Sequence, residues 1–132
     1  MNQNFFHMRT LIVQDNATFR KTFKKVLSQK FPFMVVEEAM HGVEAMEKLE
    51  TFLPDLVFMD VRLPGETGLE LTKKIKASHP DILIIILTDY NLPEYRKAAL
   101  DSGADDFVVK GSLNPAAIEA LVKSISSDRD LG

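Results

Sequence analysis

Residues 56–65, with the sequence LVFMDVRLPG, constrain the fold of this chain more than any other stretch. Four apolar residues run directly into Asp60, and the turn residues Pro64 and Gly65 follow shortly after it. A continuous apolar run bounded by turn residues is typical of a strand buried on both faces of a parallel sheet. In open α/β sheets, ligands and chemistry collect at the carboxyl ends of the strands. The stretch therefore predicts an α/β fold in which Asp60 is the functional residue at the carboxyl end of a central strand.

The composition limits the classes of protein to which the chain can belong. Its 132 residues suit a single domain, and a net charge of -3 argues against a broad basic face for nucleic acid. The sequence contains no cysteine, which excludes disulfides and Cys-based zinc sites or nucleophiles. No apolar run approaches the roughly 20 residues that span a bilayer, and residues 1–7 lack the pattern of a signal peptide. We therefore expect a cytoplasmic domain that contacts neither a membrane nor nucleic acid.

Apolar runs alternate with helical stripes along the chain. Strands are predicted at residues 8–14, 33–39, 55–60, 82–87 and 107–109. Helices are predicted after the N-cap Asn16, after the turn at residues 41–42, over about 67–78, over about 92–102, and after Asn114 and Pro115. This alternation implies βαβ units in a five-stranded, doubly wound parallel sheet with five helices, and the runs at 55–60 and 82–87 are expected to be central.

Three further expectations concern side chains and boundaries. The second helix is expected to turn Val43, Met46 and Leu49 towards the core. We assign residues 1–7 to an N-terminal extension, 8–126 to the domain, and 127–132 to a C-terminal tail or linker. The polar segment that starts at Ser126 is expected to fray.

Polar residues that carry chemistry follow four of the five predicted strands. In chain order they are Gln14, Asp15, Asp60, Thr88, Asp89 and Lys110. Parallel strands end at the same edge of a sheet, so we expect these side chains to meet. Asp15 and Asp60 are expected to hold Mg²⁺, which typically takes one or two carboxylates together with other oxygens. Asp60 would then be the nucleophile towards a phosphoryl group whose remaining oxygens bind Lys110 and the Thr88 hydroxyl.

Each of these residues also has a structural interpretation when it is considered alone. A single aspartate at a strand end is usually a turn former or helix cap, a single lysine a surface residue, and a single threonine a cap. The functional interpretation is favoured because they follow strands whose ends must be adjacent. Phe107 keeps two interpretations, as a core residue or as a ring whose burial changes with the state of the site.

From Met8 to Ser126 the chain resembles the receiver domain of bacterial two-component response regulators. The matching pieces are LIVQDN at 11–16, MDVRLPG at 59–65 with Gly68, ILT at 86–88 and GADDFVVKGS at 103–112. The family has a flavodoxin-like fold with strand order 2-1-3-4-5. The KGS ending and the LPG loop most resemble receivers that carry a C-terminal helix-turn-helix DNA-binding domain. The chain is then either a stand-alone receiver or part of a longer regulator.

The resemblance implies a role for each site residue. Asp60 would accept a phosphoryl group from a phosphohistidine on a sensor histidine kinase or phosphotransfer protein. Asp15, Asp60 and the backbone carbonyl of Arg62 would ligate Mg²⁺, and Lys110 would pair with the acyl phosphate. Thr88 would swing towards the phosphoryl oxygens, which would draw Phe107 inward.

The resemblance also implies how the site acts on the rest of the domain. The movement of the switch residues would reshape the face made by the fourth helix, fifth strand and fifth helix, through which receivers of this kind often form homodimers. The chain would not be an enzyme but a phosphoacceptor domain that promotes its own phosphoryl transfer and dephosphorylation.

The chain departs from the family pattern at three positions. Gln14 replaces the first member of an acidic pair, so it can orient a metal-bound water but adds no charge. Asp89 stands where a small residue is usual, and its carboxylate either repels a phosphoryl group or partly replaces the missing charge. Gly111 replaces a proline, and we expect a trans peptide bond before it. Together with Arg62 and Tyr90, Asp89 is expected to modulate the reaction.

Two alternatives to a working phosphoacceptor follow from the same residues. Gln14 and Asp89 are compatible with a degenerate receiver that acts as a protein-interaction module independent of phosphate. A phosphatase of the haloacid dehalogenase type would also use an aspartate nucleophile, but it normally needs a second carboxylate two residues later, where this chain has Arg62.

Overall fold

A computed structural model describes the backbone of residues 7–131 and the side chains of residues 7–126. The strands are β1 (Arg9–Val13), β2 (Val35–Ala39), β3 (Leu56–Asp60), β4 (Leu83–Thr88) and β5 (Asp106–Val109). The helices are α1 (Ala17–Lys30), α2 (Gly42–Thr51), α3 (Gly68–Ser78), α4 (Pro93–Asp101) and α5 (Pro115–Leu131). A 3₁₀ turn over Lys110–Ser112 follows β5.

The sheet is parallel throughout, with the strand order β2-β1-β3-β4-β5. This order confirms the predicted flavodoxin-like topology and the central place of β3. All five residues of β3 are buried, as the unbroken apolar run in the sequence predicts. The carboxyl ends of β1, β3, β4 and β5 therefore lie side by side, and this arrangement brings the predicted site residues to one edge.

Alternating residues of the central strands divide the core into two layers. Val57 and Met59 point to one face of the sheet, where Leu49 of α2 and Leu71 of α3 cover them. Phe58 points to the other face, where α1 and α5 cover it through residues such as Leu27 and Val122. Because neighbouring strand residues alternate between faces, a strand needs apolar residues at every position to feed both layers.

The helix boundaries follow from residues at the ends. Asn16 accepts a hydrogen bond from the N–H of Phe19 at 2.9 Å, and Asn114 accepts one from Ala117 at 2.8 Å, so both predicted N-caps are confirmed. Thr67 and Glu70 form a reciprocal capping box at the start of α3. Gly103 follows α4 with a φ of 98°, a conformation that glycine adopts without strain.

The expected orientation of Val43 is wrong. Its residue surface is 69% exposed, whereas Gly42, Ala45 and Leu49 form the buried face of α2 and Met46 packs at its side. The inward face begins at Gly42, the first residue of α2, and continues at steps of three and four residues through Ala45 and Leu49. Val43 lies about 100° round the helix from Gly42, on the solvent side.

The C-terminal helix also corrects an expectation. α5 continues to Leu131, so helical backbone extends beyond Ser126, where the sequence predicted that it would end. Ser126 is buried, and its hydroxyl donates a hydrogen bond to the sulfur of Met8 at 3.2 Å, which ties this turn of the helix to the start of β1. Residues 1–6 of the expected N-terminal extension and Gly132 of the expected tail lie outside the described residues. Within the described part, no helix has the length and apolar character needed to cross a bilayer.

Candidate functional site

Asp60 lies at the carboxyl end of β3 and is 2% exposed. The N–H of Gly68 donates a hydrogen bond to the carbonyl of Val61 at 2.9 Å, which holds the start of α3 against the end of the strand. An aspartate at this depth needs partners for its charge, because an unpaired carboxylate in a low-dielectric interior is very costly.

Three N–H donors surround the carboxylate of Asp60. The ammonium of Lys110 lies 2.5 Å from Oδ2, and the side-chain amide of Gln14 donates to the same oxygen. The backbone N–H of Arg62 donates to Oδ1 at 3.0 Å. Hydrogen bonds to an ionised acceptor are the stronger kind, so these donors both fix the carboxylate and offset its charge.

Lys110 reaches Asp60 from the first residue of the 3₁₀ turn after β5. Its side chain is 15% exposed, and the ammonium lies 4.9 Å from the centre of the Phe19 ring, within the range of a cation–π contact. The carboxylate of Asp89 lies 4.0 Å from the same ammonium, on the exposed side of the site. Lys110 therefore lies between a buried carboxylate and a solvent-facing one. The predicted meeting of Asp60, Asp89 and Lys110 is thus observed.

A cavity of about 330 Å³ opens next to Asp60. Its lining residues are Asp60, Val61, Arg62, Leu63, Thr67, Thr88, Asp89, Tyr90 and Tyr95. Thr88 is buried at the end of β4, and its hydroxyl oxygen accepts a hydrogen bond from the N–H of Tyr90 at 3.2 Å. The threonine therefore lies at the carboxyl end of β4, as the sequence predicted, and it forms part of the cavity wall.

The side chain of Arg62 lies at the rim of this cavity. Its guanidinium donates a hydrogen bond to the Tyr90 hydroxyl at 2.7 Å and lies 5.0 Å from the centre of the Tyr90 ring. The Tyr90 ring in turn stacks on Tyr95 of α4 at 5.9 Å. Arg62, Tyr90 and Tyr95 therefore form one continuous set of contacts from the loop after β3 to α4.

The oxygen donors at this edge fit a hard divalent cation. Asp15 is exposed in the loop after β1, Asp60 supplies the second carboxylate, and the backbone carbonyl of Arg62 is the third candidate. Mg²⁺ commonly uses one or two protein carboxylates and completes its shell with water. Among the described residues no group of three or more acidic or histidine side chains is arranged to hold a metal. The cation would therefore depend on two carboxylates.

Phe107 is buried in β5 with 4% of its surface exposed. The guanidinium of Arg96, on α4, lies 4.8 Å from the centre of its ring. In this structure the ring is thus already inside the domain, and the expected inward movement on phosphorylation stays a prediction. The peptide bond before Gly111 is trans, as expected.

The sequence reasoning missed two residues at the site, Arg20 and Glu38. Arg20 of α1 is 6% exposed and donates hydrogen bonds to the carbonyl of Gln14 at 2.8 Å and to Glu38 at 2.7 Å. Burial raises the pKa of Glu38, but hydrogen bonds with Arg20 and Lys24 outweigh it and leave the pKa below its ordinary value. A signal was present, because Arg20 falls on the same helical stripe as the buried Phe23 and Leu27.

The comparisons with known proteins agree on one family. Residues 10–125 match the sequence profile of the response regulator receiver domain. The oxygen regulatory protein NreC of Staphylococcus carnosus is 37% identical over 115 residues, which are 86% of this chain and 53% of NreC. The chain therefore spans about half the length of that relative. The chemotaxis protein CheY of Halobacterium salinarum is 33% identical over 113 residues, 86% of this chain and 92% of that protein.

Solved structures give the same fold. A CheY-like receiver domain from Methanospirillum hungatei superposes with a TM-score of 0.83 and 28% identity, and covers 93% of this chain and 96% of that one. A DNA-binding response regulator of the LuxR family from Staphylococcus aureus superposes with a TM-score of 0.79 and 27% identity, with coverages of 92% and 98%. This likeness supports the predicted resemblance to receivers with a DNA-binding output.

Proposed function

The chain belongs to the response regulator receiver domain family, and on that premise we propose that Asp60 accepts a phosphoryl group from a phosphohistidine. The observation that carries the proposal is the buried carboxylate of Asp60, paired with Lys110 at 2.5 Å and open to a cavity that Thr88 lines. A surface aspartate that only ended a strand would have neither a buried ammonium nor a cavity beside it.

The chemistry of the proposed step follows from these contacts. One carboxylate oxygen of Asp60 forms a bond to phosphorus while the bond between phosphorus and the donor imidazole nitrogen breaks. Lys110 and the Thr88 hydroxyl bind the phosphoryl oxygens and stabilise the negative charge on them. The domain would then promote its own phosphoryl transfer and dephosphorylation, without acting on a separate substrate as an enzyme does.

Mg²⁺ is the proposed cofactor. Asp15, Asp60 and the backbone carbonyl of Arg62 would hold it, and its charge would lower the repulsion between the carboxylates and an incoming phosphoryl group. Asp89 would oppose the approach of an anion from the solvent side, since its carboxylate is 52% exposed at the same rim. Arg62 and Tyr90 would modulate access across the mouth of the cavity.

The test is incubation with a small phosphodonor and Mg²⁺. Intact-mass analysis should find one added phosphate on the wild-type protein and none on Asp60→Asn, a change that keeps the shape of the side chain but removes the nucleophile. Asp89→Asn is the matched control at the rim, and it should keep the phosphate. A wild-type protein that never gains phosphate, or an Asp60→Asn variant that does, would refute the proposal.

A second candidate is a degenerate receiver that acts as an interaction module without phosphate. The observation in its favour is that Gln14 donates a hydrogen bond to Oδ2 of Asp60. Because Gln14 is neutral, it supplies no negative charge to hold a metal. Titration with Mg²⁺ followed by NMR separates the candidates. A saturable shift at Arg62 supports the phosphoacceptor, whereas no shift supports the degenerate module.

The partners are proposed from the family and its relatives. A sensor histidine kinase or phosphotransfer protein would supply the phosphoryl group in the cytoplasm. Phosphorylation would alter the face of α4, β5 and α5, and a homodimer through this face is the proposed consequence. Because a DNA-binding response regulator of the LuxR family is among the similar structures, we also propose a transcriptional output through a DNA-binding segment.

A further inference from the structure

Every hydrogen-bonding group of Gln14 except one amide hydrogen has a partner in the described part of the chain. Its backbone N–H donates to Ala39 at 3.0 Å, and its carbonyl accepts from Arg20 at 2.8 Å. Its side-chain oxygen accepts from the N–H of Asn16 at 3.0 Å, and its side-chain nitrogen donates to Asp60. At 1% exposure, Gln14 is therefore held from β2, α1 and β3 at once.

These contacts determine which way the amide of Gln14 points. If the amide were rotated by half a turn, its oxygen would face the carboxylate of Asp60, and its NH₂ would face the N–H of Asn16. Both contacts would be repulsive, one between two acceptors and the other between two donors. The NH₂ group is thus fixed towards Asp60, and Gln14 offers a donor at this oxygen rather than a lone pair.

A donor on Asp60 Oδ2 has a consequence for the metal. A cation binds carboxylate lone pairs, and Oδ2 already accepts hydrogen bonds from Gln14 and Lys110. We propose that Gln14 is a positioning residue: in the absence of a metal, its amide holds the Asp60 carboxylate in place for phosphoryl transfer. When Mg²⁺ is present, the same amide competes with the cation for the carboxylate of Asp60. The proposal rests on the proposed function of Asp60 as phosphoacceptor.

Two hypotheses about Gln14 predict opposite effects for one substitution: its amide either competes with Mg²⁺ or orients a water bound to Mg²⁺. Gln14→Met keeps the length of the side chain and removes its NH₂. If the amide competes with the cation, Mg²⁺ affinity rises by about tenfold, the factor expected when a hydrogen bond to a charged group no longer has to be broken. If Gln14 instead orients a metal-bound water, the same variant binds Mg²⁺ more weakly.

The experiment is a Mg²⁺ titration of wild type and Gln14→Met, followed by the backbone NMR signals of Arg62 and Asp60. Gln29→Met, on the exposed surface of α1, is the matched control and should titrate as the wild type does. The unmodified protein gives a second measurement, because the side-chain NH₂ signals of Gln14 must shift with the same midpoint as the Arg62 amide. This second measurement tests the proposal even if Gln14→Met does not fold.

The outcomes are separable from those of the phosphorylation test. Tighter Mg²⁺ binding by Gln14→Met supports the proposal, and so does binding that appears only in this variant. Unchanged or weaker binding overturns it, as do Gln14 NH₂ signals that stay fixed while Arg62 titrates. Absence of phosphate on the wild type would remove the proposed function of Asp60, but it would not alter the comparison of metal affinities.

Discussion

Gly68 is the residue at which packing against the backbone of Asp60 leaves no room for a side chain. A Cβ atom at this position would lie 1.9 Å from the backbone oxygen of Asp60 and 2.8 Å from its carbonyl carbon. An unstrained carbon–oxygen contact is about 3.3 Å, so Gly68→Ala must displace either the start of α3 or the Asp60 peptide by roughly 1.4 Å. The two nearest atoms belong to the Asp60 backbone, so rotation of a side chain cannot relieve the clash.

The expected cost of Gly68→Ala follows from two opposing terms. Alanine is favoured over glycine in a helix by up to about 1 kcal/mol, whereas overpacking of a buried site costs about 1–3 kcal/mol and occasionally more. Because the clash involves the main chain, we expect a net loss of roughly 2 kcal/mol in the free energy of unfolding. A shift of about 1 Å at a reacting group can slow a reaction by ~100-fold, so phosphate incorporation on Asp60 should slow by about that factor.

The assay is urea unfolding followed by circular dichroism, together with the phosphorylation time course. Gly42→Ala is the matched control, since Gly42 is also the first residue of a helix and the nearest atoms to its Cβ would be the Leu71 methyl carbons at 3.1 Å. This contact needs a shift of only a few tenths of an ångström in a side chain, and we expect a change within about 1 kcal/mol. If Gly68→Ala is as stable as the wild type, the argument that α3 is packed directly on the Asp60 peptide is wrong.

Three further substitutions, grouped in two predictions, test polar contacts. Thr10→Val should stabilise the protein by about 1 kcal/mol in urea unfolding, because the Thr10 hydroxyl is buried without a hydrogen-bond partner among the described residues. The matched Thr72→Val should destabilise it by about 1 kcal/mol, because it removes a 2.8 Å hydrogen bond to the Gly68 carbonyl. In the folded state the pKa of Glu38 lies below its ordinary value of 4.5. Its contribution to the free energy of unfolding is therefore present above pH 4.5 and is lost as the pH falls through the pKa of the folded state. Glu38→Gln should therefore flatten the decline of thermal stability below about pH 4.5.

The outcomes that would contradict these two predictions are simple. A less stable Thr10→Val protein would mean that the hydroxyl has a partner, such as an ordered water. An acid-stability profile of Glu38→Gln that coincides with the wild-type profile would mean that other carboxylates account for the whole acid dependence.

The amino-acid sequence determined the fold class and brought several residues of the site together. Apolar runs and helical stripes are local patterns, and their alternation leaves few arrangements besides a parallel sheet covered on both faces. Since parallel strands end at one edge, Asp60, Thr88 and Lys110 could be assigned to one site without knowing any distance. The caps at Asn16 and Asn114 were equally local, because each bonds a residue three positions away.

Only the tertiary structure decided how those residues face one another. The donor role of the Gln14 amide depends on Asp60, which is 46 residues away in the chain, and on Arg20 and Asn16 around it. The exposure of Val43 depended on the residue at which α2 begins, and the burial of Phe107 on the apolar core that the sheet and helices form around it. Hydrogen-bond direction and burial are properties of atoms brought together by packing, and a linear pattern records the residue types but not which atoms meet.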